Sequence, residues 1–405
     1  MITKRFVGAT LLVAGTTIGA GMLAVPVTTG VAGYYPSLAI FGVTWLFMLF
    51  TAYLFLEVNL WLNGDPNLIT MARVTIGKTG AMLTWCLYLL LLYSLTAAYI
   101  AGCGSMMLDT ADKIFHIKLP EWFEPIPMLC IFGVFIYLGT KAVDWLNRLL
   151  MIGLFISFAA LISITFPQIK QSLLSVSNSQ YLGLGISVVI TSFGFHIVIP
   201  SLTHYLKRDA NQLRWSVFIG SLIPMIIYIL WQTVILGIVP INGPVSLSNS
   251  FQLGEAATQP LAKILHNSWI APLAQLFSFF AIVTSFIGVS LSLSHCLHDG
   301  LKIPKKVAGK ALIWLLTFIP PVIFVLYYPK GFILALQYAG IWVCLLLGLL
   351  PIVMVWRGRY TYRFPNENRT IGGKPLLVLA ALFFVSLVVL EICGQYALLP
   401  TPFNL

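Results

Sequence analysis

Charge is scarce in this chain. Of its 405 residues only 9% are Asp, Glu, Lys or Arg, against roughly a quarter in a soluble domain, while 59% are hydrophobic. So few charges cannot keep that much apolar side chain in water. The marks of several other chemistries are missing too. There is no P-loop, which speaks against ATP as a driver, and the six histidines form no HExxH or similar spacing that would point to an enzyme. The cysteines, Cys86, Cys103, Cys130, Cys296, Cys344 and Cys393, make no CxxC pair and no metal cluster with histidine. They read as small packing residues, and no cofactor is implied.

What is present is a succession of apolar runs, each long enough to cross a hydrocarbon core of ~30 Å. Eleven are expected, at about 6–32, 36–62, 81–108, 126–141, 146–166, 183–205, 213–239, 270–298, 308–328, 330–356 and 375–396. Lys4 and Arg5 ahead of the first run imitate a signal peptide. The run continues to Ala32, well past the ~7 to 15 residues of such a peptide, so it is expected to be retained as a span. Lipid tolerates no open sheet edge, and the alternation of barrel strands is absent. The expected class is an all-α polytopic membrane protein, one transmembrane domain over 1–405 with the lipid bilayer as its surroundings.

The net charge of +11 raises the question of nucleic acid, and its distribution answers no. Lys and Arg fall in alternate loops. Five of the 23, Lys113, Lys118, Lys170, Lys263 and Lys330, lie on one side, and the remaining eighteen on the other. This is the positive-inside bias. It predicts a cytoplasmic N-terminus and, after eleven spans, an outer C-terminus.

Five spans precede the sixth. Because five is odd, any repeat that restarts there runs through the membrane in the opposite sense, which gives inverted repeats at about 6–167 and 183–356 with an extra helix at 375–396. Both repeat starts carry a weak point, GTTIGAGMLAVP at Gly15 to Pro26 and TSFGFHIVIP at Thr191 to Pro200. Glycine costs about 1 kcal/mol in a helix interior relative to alanine. Gly15, Gly19 and Gly21 lie within seven residues. Alone, such a stretch suits close helix packing as well as binding. Paired breaks in corresponding positions point to a transporter site.

An unwound turn frees N–H groups at the start of the next half-helix for an anion, and carbonyls at the end of the previous one for an ammonium group or a sodium ion. Neither break contains Lys or Arg, and a substrate of net charge would need a buried countercharge. A zwitterion would not. Thr16, Thr17, Ile18, Gly19, Ala20, Gly21, Ser192, Phe193, Gly194 and Phe195 are the expected substrate-binding residues, with Tyr93 and Tyr99 placed nearby.

The ionisable and hydroxyl groups within spans leave choices open. Glu57 is a proton carrier or a carboxylate accepting hydrogen bonds from backbone and Asn59. His196 contacts substrate, titrates during a cycle or bonds the unwound backbone. Thr284 and Ser285 bond back to their own helix or ligate sodium. Asp144, His295, His298, Asp299 and Glu391 fall near the expected membrane surfaces, where solvated or structural roles are expected.

The opening VAGTTIGAGMLAVP, YSLTAAYIAGCG at Tyr93 to Gly104, TSFGFH, LRWSVFIGSLIP at Leu213 to Pro224, TSFIGVSL and YYPKGFILALQYAG together resemble the hydroxy/aromatic amino-acid permeases of bacteria. The resemblance covers nearly the whole chain. It implies the five-plus-five, leucine-transporter-like fold with helices 1 and 6 broken, an inner-membrane location, and import of an aromatic amino acid, tyrosine first, by proton symport. Tryptophan or another neutral amino acid, a sodium-driven cycle, and a channel or sensor of the same fold are the alternatives. Several proton-coupled relatives carry a lysine where NRLLMIGLF puts Leu154, and that departure leaves sodium open.

Overall fold

The computed structural model describes residues 4–398 apart from 65, 117–118, 266–268, 305, 329–330, 366 and 397. Of the lysines in the charge count, Lys118, Lys305 and Lys330 lie outside the described residues. Ten helices are long and apolar enough to cross a membrane, and two shorter ones, bent against each other by 55°, make the eleventh. Span 1 is that pair, Lys4–Thr17 with Gly21–Gly30. Span 2 is Tyr34–Trp61, span 3 Lys78–Leu108, span 4 Glu121–Leu138 and span 5 Thr140–Gln168. Span 6 is Ile186–Tyr205, span 7 Ala210–Ile238, span 8 Ile270–Leu301, span 9 Val307–Tyr327, span 10 Phe332–Tyr362 and span 11 Lys374–Gln395. All-helical architecture and span number agree with the reading of the sequence.

Glycine decides two of the connections. Gly33 turns the chain between spans 1 and 2 at φ 95°, and a Cβ there would lie 2.3 Å from the Val176 carbonyl oxygen. The chain therefore reverses against residues 176–178, where the Asn178 N–H donates to the Ala32 carbonyl at 2.8 Å. Gly139, also at φ 95°, makes the whole turn between spans 4 and 5. Span 5 consequently begins at Thr140 and not near 146. The charged stretch expected to be a loop is its first turns, and Asp144 and Arg148 form an exposed i,i+4 pair at 2.9 Å.

Burial sorts the spans. In span 10, 67% of the apolar window is buried inside the protein, against 28% in spans 5 and 11, so span 10 is interior and the other two face lipid. Spans 5 and 8 pack on each other, span 3 packs on spans 8 and 10, and the first half of span 1 lies along span 7. On the side away from the N-terminus two short helices, Leu247–Gln252 and Thr258–Ile264, fold inward. The Ala257 N–H donates to the Leu23 carbonyl at 2.9 Å, tying that cover to span 1 just beyond its bend.

Candidate functional site

The bend in span 1 begins at Ile18, whose N–H still reaches Ala14 at 3.0 Å. Met22 and Leu23 then make tighter bonds three residues back, to Gly19 at 3.2 Å and Ala20 at 3.0 Å. Between these, the Ala20 N–H leaves the helix and donates to the Ser285 hydroxyl on span 8 at 2.9 Å. The N–H groups of Gly19 and Gly21 find no acceptor among the described residues. They stand at the positive end of the half-helix Gly21–Gly30.

Close contact explains why these positions are glycine. A Cβ on Gly19 would lie 2.5 Å from the Ser285 Oγ, and one on Gly21 2.5 Å from the Ser192 Oγ on span 6. Packing and exposure of backbone thus coincide here. The same stretch is small enough for its neighbours and open enough to bind.

Span 6 is helical to Ser192. The chain then unwinds: Gly194 donates to Thr191 at 3.2 Å and Phe195 to Phe193 at 3.0 Å, before helix resumes through a turn at His196–Val198. Tyr228 of span 7 joins the two breaks. Its hydroxyl donates to the Thr17 carbonyl at 2.6 Å and approaches the Ser192 carbonyl at 3.1 Å. Nothing in the sequence reading marked it, although a phenol in the middle of an apolar span must have a buried partner.

Between the breaks lies a cavity of about 500 Å³, walled by spans 1, 3, 5, 6 and 8, within the ~300 to 1,000 Å³ of small-molecule sites. It runs from Gly19 and Ser192 towards the N-terminal side, past Leu12, Asn147 and Ser292. No Asp, Glu, Lys, Arg or His lines it. On the opposite side Phe332 and Ile282 pack onto Gly102, and beyond them is a smaller cavity of about 260 Å³ bordered by Gln259, Lys263 and Gln275.

The model of the tryptophan/tyrosine permease family matches residues 2–391. The chain belongs to that family. This permease is 38% identical over 359 residues to a tyrosine-specific transport system of Haemophilus influenzae, covering 88% of this chain and 89% of the relative. It is 31% identical over 399 residues, 97% and 95% of the two chains, to a tryptophan-specific transport protein of Pseudomonas aeruginosa. Its fold is that of a solved manganese transporter of Eremococcus coleocola in a mutant form, with a TM-score of 0.64 at 14% identity over 98% of this chain and 89% of the other.

Within the permease the expected site residues divide by location. Thr16, Thr17, Ile18, Gly19, Ala20, Gly21, Ser192 and Gly194 line the cavity. Phe193 does not; it lies behind the wall with its ring edge-on to Tyr228. Phe195 packs against His196. Tyr93 faces elsewhere, its hydroxyl donating to the Leu316 carbonyl on span 9 at 2.9 Å. Tyr99 does line the cavity, and in place of Tyr93 it is joined there by Tyr88, with Leu92 and Leu95 on the same face.

The expected ion-coupling residues separate in the same way. Thr284 and Ser285 both reach the cavity, and both donate back to their own helix, Thr284 to Phe280 at 2.7 Å and Ser285 to Ala281 at 2.9 Å. Ser285 faces an N–H of span 1, where a sodium ligand would face carbonyls. The His196 Nε2 lies 3.0 Å from the Thr51 hydroxyl of span 2, behind the cavity wall. Glu57 grips Arg359 through two bonds, 2.5 and 2.7 Å, with both side chains buried. It also accepts the Thr370 N–H at 2.7 Å, so its charge is matched. Leu154 is buried in the core.

Proposed function

We propose that the chain is a secondary active transporter of the bacterial inner membrane that imports tyrosine together with a proton. The observation that carries this is a cavity walled by two helix breaks and by no Asp, Glu, Lys, Arg or His. A substrate with a charged carboxylate and a charged amine, but no net charge, can be held there by helix ends alone. The carboxylate goes to the free N–H groups of Gly19 and Gly21, and the amine to carbonyls at the end of the first half of span 1 and of the span 6 break. The aromatic ring extends between Tyr88, Leu92 and Tyr99 of span 3.

Tyrosine as first choice is supported by the identity to the tyrosine-specific relative; the tryptophan-specific one makes tryptophan the next substrate to test. The charge bias supports a cytoplasmic N-terminal side and, after eleven spans, a periplasmic C-terminus. A cavity running to that side then corresponds to the inward-facing stage of an alternating cycle. The two breaks stand at the heads of inverted repeats of five spans, and rocking of one repeat element against another moves access from side to side.

Reconstituted protein in proteoliposomes tests this with labelled tyrosine, tryptophan, phenylalanine and serine, under proton and sodium gradients imposed separately. Tyrosine accumulation driven by acid outside, without sodium, is the expected result. Uptake of none of the four above protein-free vesicles defeats the amino-acid assignment. Exchange of preloaded cold tyrosine for external label distinguishes a carrier from a channel or sensor.

A further inference from the structure

Glu57 has its charge matched by Arg359, and among the described residues two further carboxylates, Glu124 of span 4 and Glu391 of span 11, are buried within spans. Glu391 is 4% exposed near the end of span 11, whose neighbouring Val385, Val389 and Ile392 are lipid-facing and exposed. It forms no ion pair among the described residues. Its partners are the Ser187 hydroxyl, which donates to its Oε2, and Gln395 one turn on. A carboxylate held in the membrane without a cation is costly as an anion and stable as a neutral acid.

The elements packed on this part of span 11 are span 10, the start of span 6 and the segment Ser179–Gly185 before it. Their titratable groups at this end are Tyr181, Tyr338 and Cys344, with Cys393 on span 11 itself; Tyr360 and Tyr362 are at the far end of span 10. Arg357 and Arg359 lie at the far end of span 10, and Lys374 at the far end of span 11, each roughly 20 Å or more along its helix. Among the described residues, no cation pairs with Glu391.

Its one hydroxyl partner leads to the site. Ser187 is wedged, because a Cβ on Gly340 of span 10 would stand 2.6 Å from its Cβ. One turn later the Thr191 hydroxyl donates to the Ser187 carbonyl at 2.8 Å, and Thr191 lines the cavity directly before the span 6 break. We propose that Glu391 binds the co-transported proton, and that Ser187 communicates its state to the first half of span 6. The step is the addition of one proton from water to the carboxylate. The carboxyl then has an O–H of its own, and the Ser187 hydroxyl changes from obligate donor to acceptor.

This assignment rests on the reading of the chain as an ion-driven carrier, and one experiment separates the two. Full-length wild type, Glu391→Gln and Ser187→Ala are reconstituted and assayed for tyrosine counterflow, for accumulation under an inward proton gradient, and for tyrosine-dependent proton entry with an internal pH dye. Glu391→Gln, a mimic of the protonated acid, should keep counterflow within about twofold and lose accumulation and proton entry by about tenfold or more. Wild-type accumulation and proton entry in Glu391→Gln overturn the assignment. Should Glu391→Gln exchange nothing, Ser187→Ala decides. Loss of the donor to the carboxylate should move the pH midpoint of uptake upward by about one unit, and an unmoved midpoint counts against Glu391. A wild type that exchanges tyrosine but accumulates it only on a sodium gradient overturns this inference alone. One that exchanges no amino acid overturns the carrier reading as well.

Discussion

The Tyr228 hydroxyl donates to the Thr17 carbonyl at 2.6 Å, at the point where the first half of span 1 ends. The same oxygen lies 3.1 Å from the Ser192 carbonyl at the corresponding end in span 6. Two half-helix ends, each carrying partial negative charge, thus meet at one buried O–H. Tyr228→Phe removes that donor and leaves both carbonyls without it at the cavity wall. The loss is about 1 to 3 kcal/mol, which corresponds to roughly 5- to 150-fold in tyrosine affinity measured by equilibrium binding. Wild-type affinity in Tyr228→Phe would show that the bridge does not shape the site.

Gly19 and Ser285 are coupled through space and through a bond. A Cβ on Gly19 would displace the Ser285 Oγ, which is the acceptor for the Ala20 N–H. Gly19→Ala can be accommodated if the serine swings away, at the cost of that bond, about 1 kcal/mol. Ser285→Ala loses the same bond. The two variants and their combination should therefore reduce uptake equally, about fivefold, with no addition in the double variant. Additive losses would mean that the residues act separately. Gly19→Val, with two further methyl groups, should abolish uptake while the protein still inserts into the membrane.

The breaks were legible in the sequence because their cause is local. Three glycines in seven positions weaken any helix, and an interruption inside lipid has few uses. Span number followed from hydrophobic length. What was not legible depends on helical phase or on distant partners. Tyr88, Leu92, Leu95 and Tyr99 follow the 3.6-residue period of one face, and Tyr93 is off it. Without the packing of span 3, the choice between Tyr93 and Tyr88 could not be made from spacing. The start of span 5 was misplaced because Gly139 completes a turn in one residue. Arg359 is far from Glu57 in sequence, and nothing local announces the pair.

Asp209 caps span 7, accepting the Gln212 N–H at 3.1 Å and the Gln212 side-chain amide at 2.7 Å. Those bonds, the backbone one first, hold its carboxyl below the ordinary carboxylate range. A group depressed in the folded state stabilises above its unfolded value, near 4, and the contribution is lost as pH falls through the folded value. Asp209→Ala should lower thermal stability in detergent at neutral pH by about 1 kcal/mol. The difference from wild type should shrink on acidification below pH ~4; a constant difference would mean that the carboxylate charge is not what caps the helix.

The pair of Glu57 and Arg359 holds a strap across the N-terminal side of the bundle. Arg359 also donates to the carbonyls of Gly372 at 2.7 Å and Thr370 at 3.0 Å, and the Thr370 hydroxyl donates to the Tyr53 carbonyl on span 2 at 3.0 Å. The segment between spans 10 and 11 is thereby fastened to span 2. Removing one charge strands the other in a buried site, which costs about 3 to 5 kcal/mol. Glu57→Gln and Arg359→Met should each melt far below wild type, and the double variant should recover part of the loss because no charge is left uncompensated. The recovery stays partial, since the carbonyls of Gly372 and Thr370 lose their donor as well. A proton carrier behaves differently: its neutral mimic keeps the fold and loses the coupling. A Glu57→Gln protein as stable as wild type, yet no longer driven by a pH gradient, would return Glu57 to the coupling residues and remove the strap from the account of stability.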